Sequence, residues 1–223
     1  MLHSNDISHS PSCPLHLDLR KEVLALVGRG KEESSPKILL HACCAPCSGA
    51  IIEALCSEGL FPTVFFSNSN IVPREEYDKR LSECRRYCGK YSLTLIEDSY
   101  DHLKWLEEIR GLENEPERGR RCLKCFGSRL SRSALYAHEN GFDILTTTLA
   151  SSRWKVLSQV DEAGKRECEK YEGLTWWGRN WRKGGLQERR SRIITEEEFY
   201  NQDYCGCEFS FRKNAPAPAT DGE

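Results

Sequence analysis

The sequence predicts an α/β fold with a doubly wound, mostly parallel sheet and a C-terminal extension that carries cysteines. Short apolar runs of strand length alternate along the chain with stretches whose apolar residues recur at helical spacing. Parallel strands need long crossover connections, so this alternation indicates βαβ units. The 223 residues fit one such domain, which is large enough to bury a core without disulfides.

Local signals predict the individual elements. The predicted strands are apolar or β-branched runs at 37–41, 63–66, 92–96 and 143–149. Two predicted helices begin at Pro46 and Pro73, since proline is favoured in a first helical turn. The other predicted helices cover 102–109, 128–140 and 154–168. Gly59 and Gly141 end the helices that precede them.

Composition divides the chain into three parts. We expect residues 1–35 to be a flexible lead-in that ends in a polar linker, with a short amphipathic helix at 17–27. Residues 36–212 are expected to form a single α/β domain. Residues 213–223 alternate alanine and proline and are predicted to be a disordered tail.

The bulk properties indicate a cytoplasmic protein. The N-terminus lacks the basic and apolar segments of a secretory signal, and no stretch approaches the roughly 18 apolar residues of a membrane span. The net charge of −2 does not indicate any class of partner. In the cytosol the twelve cysteines stay reduced, which favours metal binding over disulfides.

Seven cysteines fall into three tight clusters. They are Cys43, Cys44 and Cys47, then Cys122 and Cys125, then Cys205 and Cys207. The first cluster follows the first strand, where parallel sheets bind ligands, and its loop has no glycine-rich phosphate motif. Seven thiols exceed the four that a structural zinc needs. The surplus leaves two possibilities: an iron–sulfur cluster with a second metal, or a zinc site with a redox pair.

The remaining cysteines and the basic stretches have less specific interpretations. Cys56, Cys84 and Cys88 lie on apolar helix faces and are expected to pack in the core. Arginines and lysines surround Cys122, and others alternate with tryptophans over 176–192. Such stretches bind single-stranded nucleic acid through phosphate contacts and base stacking, but they are equally typical of a solvated surface.

Several polar residues follow the first two strands. His41 is either a hydrogen-bond donor near the metal or a buried core histidine. Asn68, Asn70 and Tyr77 lie at the same predicted sheet edge, although Asn70 is also suited to cap the next helix.

These motifs, in this order, resemble the QueH family of epoxyqueuosine reductases. The resemblance covers residues 37–212 and rests on five segments: LLHACCAPCS, FFSNSNIVPREEY, RCLKC, TTTL and YNQDYCGC. It implies a Rossmann-like fold and reductive removal of the epoxide oxygen of epoxyqueuosine in tRNA, the last step of queuosine synthesis. It also implies a [4Fe–4S] cluster beside a mononuclear metal ion, expected to be iron, and an unidentified electron donor.

The resemblance also implies which side chains bind these groups. The family's cofactor-binding positions correspond to Cys43, Cys44, Cys122, Cys125, Cys205 and Cys207. Cys47 is a further metal ligand candidate, although some relatives carry aspartate at its position. The sequence does not divide these thiolates between the two centres.

The reaction also needs a proton donor, for which His41, Tyr77 and Tyr204 are the candidates. Trp176, Trp177 and Trp181 are expected to offer stacking faces to the substrate base. Two other interpretations of the cysteines remain: a non-catalytic, zinc-bearing RNA-binding module, and a thiol–disulfide oxidoreductase that uses Cys122 and Cys125.

Overall fold

The computed structural model describes residues 15, 17–28 and 35–210 and contains the predicted parallel sheet. Its strands are β1 (Ile38–His41), β2 (Thr63–Phe66), β3 (Leu95–Glu97), β4 (Ile144–Thr147) and β5 (Thr175–Trp176). Their order is β3-β2-β1-β4-β5, and all four neighbouring pairs are parallel. The order reverses between β1 and β4, so this pair forms the switch point at which such sheets bind ligands.

Seven helices connect and cover the strands among the described residues. They are α1 (Leu19–Leu26), α2 (Ala45–Ser57), α3 (Arg74–Lys90), α4 (His102–Glu108), α5 (Arg120–Glu139), α6 (Leu157–Cys168) and α7 (Leu186–Glu196). Within the part of the chain that the structure describes, none of them is both long and apolar enough to cross a membrane.

The core lies on both faces of the sheet because strand side chains alternate. On one face, Leu40 and Val64 pack with the apolar side of α2. On the other face, Leu39 and Phe65 pack with Ala134 of α5. The larger core also contains the cysteines expected to pack there, Cys56, Cys84 and Cys88.

The N-terminal region contains one packed helix. The helix predicted at 17–27 is α1, and its Leu19 and Val23 are fully buried in the main core. The carboxylate of Glu58, at the end of α2, accepts hydrogen bonds from the backbone N–H groups of Leu17 and Arg20. The segment 17–27 of the expected lead-in is therefore part of the folded body. Most of the predicted linker and the whole predicted tail at 213–223 lie outside the described residues.

Four elements differ most from the sequence prediction. Helix α5 starts eight residues before the predicted position, so Cys122 and Cys125 lie on its first turns. Strand β5 and helix α7 were not predicted. The predicted strand at 143–149 ends at Thr147, because the Thr147 hydroxyl accepts a hydrogen bond from the N–H of Leu149 and starts a 3-10 turn.

Candidate metal centre and substrate cavity

A cavity of about 690 Å³ lies at the carboxyl end of the sheet. Cys43 and Cys47 form one wall, and Cys205 lies on another. Most of the remaining lining comes from the loop before α6, from α7 and from residues 201–204. Its volume lies in the range of small-molecule sites, about 300–1,000 Å³.

Cys43, Cys44 and Cys47 form a compact three-thiol group. Their sulfur atoms all lie within 4.8 Å of one another, and those of Cys43 and Cys44 are 3.8 Å apart. All three side chains are buried. Hydrogen bonds from the thiols of Cys43 and Cys44 lower the pKa of Cys47 well below its ordinary value, although burial opposes this shift. Thiolates are the form that binds metal, so Cys47 is prepared as a ligand.

Polar contacts fix the backbone that carries this group. The N–H of Cys43 donates to Thr148 Oγ1 at 3.0 Å, which ties the loop after β1 to the end of β4. Asn68 Nδ2 donates to the carbonyl of Ala42 at 2.9 Å, and Arg129 in turn donates to the side-chain oxygen of Asn68. Gln202 Nε2 donates to Cys44 Sγ at 2.8 Å from the C-terminal segment.

The other four cysteines form a second, looser group, called here the four-thiol group: Cys122, Cys125, Cys205 and Cys207. Cys122 and Cys125 share one face of α5, because residues three apart on a helix are neighbours. Cys125 and Cys207 belong to the same buried cluster. Burial is the main cause that raises the pKa of Cys122 to about 11 and that of Cys125 to about 12. Cys205 and Cys207 lie close enough to both helix cysteines to raise these pKa values further.

The loop that brings Cys205 and Cys207 into this group is docked by α3 and the segment before it. Arg80, on α3, donates to the carbonyl of Cys205 at 3.0 Å. The N–H of Val72 donates to the carbonyl of Gly206 at 2.9 Å. Gly206 has a φ of 122°, a conformation that strains other residues, which explains why glycine separates the two cysteines.

Lys155 lies close to both thiol groups. Desolvation opposes its charge, but the thiolates of Cys205, Cys43 and Cys47 raise its pKa above the ordinary value. Arg182 donates to the carbonyls of Ser152 and Lys155, both at 2.6 Å, and so holds the loop that presents the lysine. All seven predicted metal ligands therefore surround one region, with a lysine between the two groups.

The three proton-donor candidates have different surroundings. His41 is fully buried; its Nδ1 lies 2.7 Å from Thr147 Oγ1 and its Nε2 lies 3.1 Å from the carbonyl of Ser67. Burial, with the charge of Arg129, lowers the pKa of His41 well below its ordinary value. Tyr77 is also fully buried, and it donates to Glu97 at 3.2 Å. Only Tyr204 of these three lines the cavity, where its hydroxyl donates to the carbonyl of Val72 at 2.6 Å.

The expected stacking role of the tryptophans at 176–181 is wrong. Trp177 and Trp181 are buried and pack edge to face in the main core. Trp176 donates its indole N–H to Asp161 at 2.6 Å and packs on Gly164. The basic residues among them are engaged inside the fold too: Arg179 pairs with Glu22, and Arg182 holds the loop described above. Residues 176–182 therefore form a structural connection inside the fold.

The sequence analysis missed other cavity residues. Trp154 lies on the cavity wall and is only half-buried, and Arg153 lies 5.4 Å from its ring. Arg190 reaches the cavity from α7. Gln202 stands three residues before Cys205 in the sequence, and this closeness to the last cysteine pair is the one sequence signal that could have identified it.

Comparison with known proteins identifies the family. A sequence profile described as epoxyqueuosine reductase QueH matches residues 38–213. The chain is 46% identical over 176 residues to epoxyqueuosine reductase QueH of Histophilus somni, covering 79% of this chain and 72% of that protein. It is 44% identical over 180 residues to the protein of the same name from Acinetobacter baylyi, covering 81% and 83%.

Among solved structures, the chain is similar to the U34-tRNA thiolase NcsA from Methanococcus maripaludis with its [4Fe-4S] cluster. The TM-score is 0.48 at 12% identity, over 87% of this chain and 68% of that one. The sequence matches confirm the resemblance that the cysteine motifs indicated. The chain belongs to the epoxyqueuosine reductase QueH family of oxidoreductases.

Proposed function

We propose that this protein removes the epoxide oxygen of epoxyqueuosine in tRNA. The reaction breaks two C–O bonds, forms a C=C bond and releases water, and it consumes two electrons and two protons. The electrons come from an external one-electron donor. The observation that supports this proposal most directly is the compact three-thiol group beside a cavity that Cys205 also lines, in a chain of this family.

The spacing of the sulfur atoms supports a division of the ligands. Around a tetrahedral ion with bonds of about 2.3 Å, neighbouring sulfurs lie roughly 3.8 Å apart. The sulfurs of Cys43 and Cys44 have this spacing, and all three sulfurs of the group lie within 4.8 Å of one another. We therefore assign a mononuclear metal, iron, to Cys43, Cys44 and Cys47. A [4Fe–4S] cluster spreads its ligands over four irons, which suits the looser four-thiol group. When bound, the two centres supply electrons and an electrophile for the epoxide oxygen.

The protein's own groups bind the substrate and exclude water. Arg153 and Arg190 bring positive charge to the cavity, which suits the phosphates of an RNA strand. The half-buried ring of Trp154 offers a stacking face for an unstacked base, in place of the buried tryptophans. Tyr204 holds a proton on the cavity wall and is the candidate donor to the departing oxygen. We infer a cytoplasmic location for this activity, since thiols stay reduced there.

A direct experiment compares anaerobically purified wild type with two classes of variant. Wild type should contain iron and sulfide, show Mössbauer signals of both a cluster and a single iron, and convert epoxyqueuosine tRNA to queuosine tRNA by mass spectrometry. Cys122→Ser and Cys205→Ser should lose the cluster and the activity.

Cys84→Ala is the matched control, because it removes a buried thiol from the core outside both groups. It should retain iron and turnover. A colourless wild type that binds zinc and tRNA without converting the substrate would instead establish the non-catalytic RNA-binding module.

A further inference from the structure

Asn70 is a buried side chain without a partner. It follows β2 and is fully buried, yet neither its Nδ2 nor its Oδ1 has a hydrogen-bond partner. It does not cap the next helix, since the residue at that position is Pro73 and no side chain caps it. A Cβ added to Gly206 would lie 3.5 Å from Asn70 Nδ2, so the amide lies against the Cys205–Cys207 loop.

Trp105 presents a second unpartnered donor to the same group. Its indole Nε1 is buried without a hydrogen-bond partner, and the residue is 2% exposed. It belongs to the small buried cluster that contains Cys125 and Cys207. His102 stacks on the ring with 5.4 Å between the ring centroids, and Phe209 packs against it at 6.3 Å.

Two unpartnered N–H groups beside one set of thiols indicate a missing acceptor. A buried donor without an acceptor costs free energy, and such groups in native proteins call for an explanation. The two donors come from separate segments, after β2 and from α4, and each lies beside part of the four-thiol group. Sulfide and thiolate sulfurs of an iron–sulfur cluster accept N–H hydrogen bonds, and these bonds help to set the reduction potential.

We propose that Asn70 and Trp105 donate hydrogen bonds to sulfur atoms of the cluster held by the four-thiol group and thereby raise its reduction potential. This inference rests on the proposed function, because it requires the cluster. The reduced cluster carries one more negative charge than the oxidised one, so an N–H donor stabilises the reduced form more. Both are positioning residues that act on the potential of the centre.

The test uses anaerobically purified enzyme with Asn70→Leu and Trp105→Phe, each of which removes the donor and keeps most of the side-chain volume. Iron and sulfide content should match wild type. EPR at a fixed solution potential measures the ratio of reduced to oxidised cluster. This ratio should fall about tenfold in each variant, which corresponds to a midpoint reduction potential about 59 mV lower. Trp181→Phe is the matched control, since its indole donates to Thr146 and lies in the main core. Its midpoint should not move.

A second measurement separates this role from a structural one. In the metal-free chain, Asn70→Leu should unfold at the same or a higher urea concentration than wild type, because no hydrogen bond is lost. Trp181→Phe should unfold at a lower one. Unchanged midpoint reduction potentials in cluster-loaded Asn70→Leu and Trp105→Phe would overturn this inference and leave the proposed function standing. A wild type that binds no cluster would overturn the proposed function and this inference with it.

Discussion

The ion pair between Arg189 and Glu53 joins two helices that border the cavity. Glu53 lies on α2, which carries Cys47, and its side chain is 3% exposed. Arg189 lies on α7 and donates from Nε and Nη2 to both carboxylate oxygens, each at 2.7 Å. It also donates to Glu196 at 2.8 Å. Hydrogen bonds to Glu53 and Glu196 raise the pKa of Arg189 above its ordinary value.

Arg189→Gln should therefore destabilise the fold strongly. Removing one partner of a buried pair leaves an uncompensated charge, which costs about 3–5 kcal/mol. The Arg189 side chain is 16% exposed, so we expect the lower end, about 3 kcal/mol in the free energy of unfolding. Urea unfolding followed by tryptophan fluorescence measures this as a lower midpoint with an unchanged slope.

Two comparisons isolate the buried charge. Arg74→Gln removes an ion pair with Asp78 whose side chains are 52% and 54% exposed, respectively. The free energy of unfolding should therefore fall by less than about 1 kcal/mol. The double variant Glu53→Gln/Arg189→Gln should be more stable than Arg189→Gln alone, because no buried carboxylate remains unpaired. The reasoning is refuted if Arg189→Gln costs no more than Arg74→Gln.

Three further predictions follow from the site and its support. Hydrogen bonds from Arg132 and Ser67 hold the pKa of Asp98 below its ordinary value although burial opposes this, so Asp98→Asn should cost about 2 kcal/mol at pH 7. The difference in the free energy of unfolding between wild type and Asp98→Asn should shrink as the pH falls below about 4, as measured by urea titrations at a series of pH values. Mössbauer spectroscopy should show that Cys47→Ala loses the single iron and keeps the cluster, whereas Cys47→Asp keeps both. Loss of the cluster in Cys47→Ala would make Cys47 a cluster ligand. Trp154→Ala should weaken tRNA binding about tenfold with an unchanged salt dependence, and unchanged binding would exclude base stacking there.

Local signals were sufficient for most of the sheet and its helices. The strand at 63–66 and the helix after Pro73 were predicted at their observed positions, because apolar periodicity and proline report directly on local structure. The position of Cys43 after β1 also placed the three-thiol group correctly at the carboxyl edge of the sheet.

The basic and aromatic stretch could not be interpreted locally. Arginines that pair with acids far along the chain are indistinguishable in sequence from arginines on a solvated face. Arg179 meets Glu22 from α1, and Arg189 meets Glu53 from α2, partners that only the tertiary fold supplies. Both partners lie in other elements more than 130 positions away in sequence, so the sequence did not show that one side of α7 packs into the main core and lines the cavity.

The division of the seven thiols depends on the same kind of long-range contact. Sequence spacing shows which cysteines are neighbours in the chain, but Cys205 and Cys207 reach Cys125 only because Arg80 and Val72 dock their loop. The three-thiol group needs no such help, since a single loop and the first turn of α2 carry all its sulfurs. The three-thiol group is thus built into the switch point of the sheet, and the four-thiol group is assembled only when the C-terminal segment docks. We therefore expect α3, through Arg80, to control the assembly of the four-thiol group.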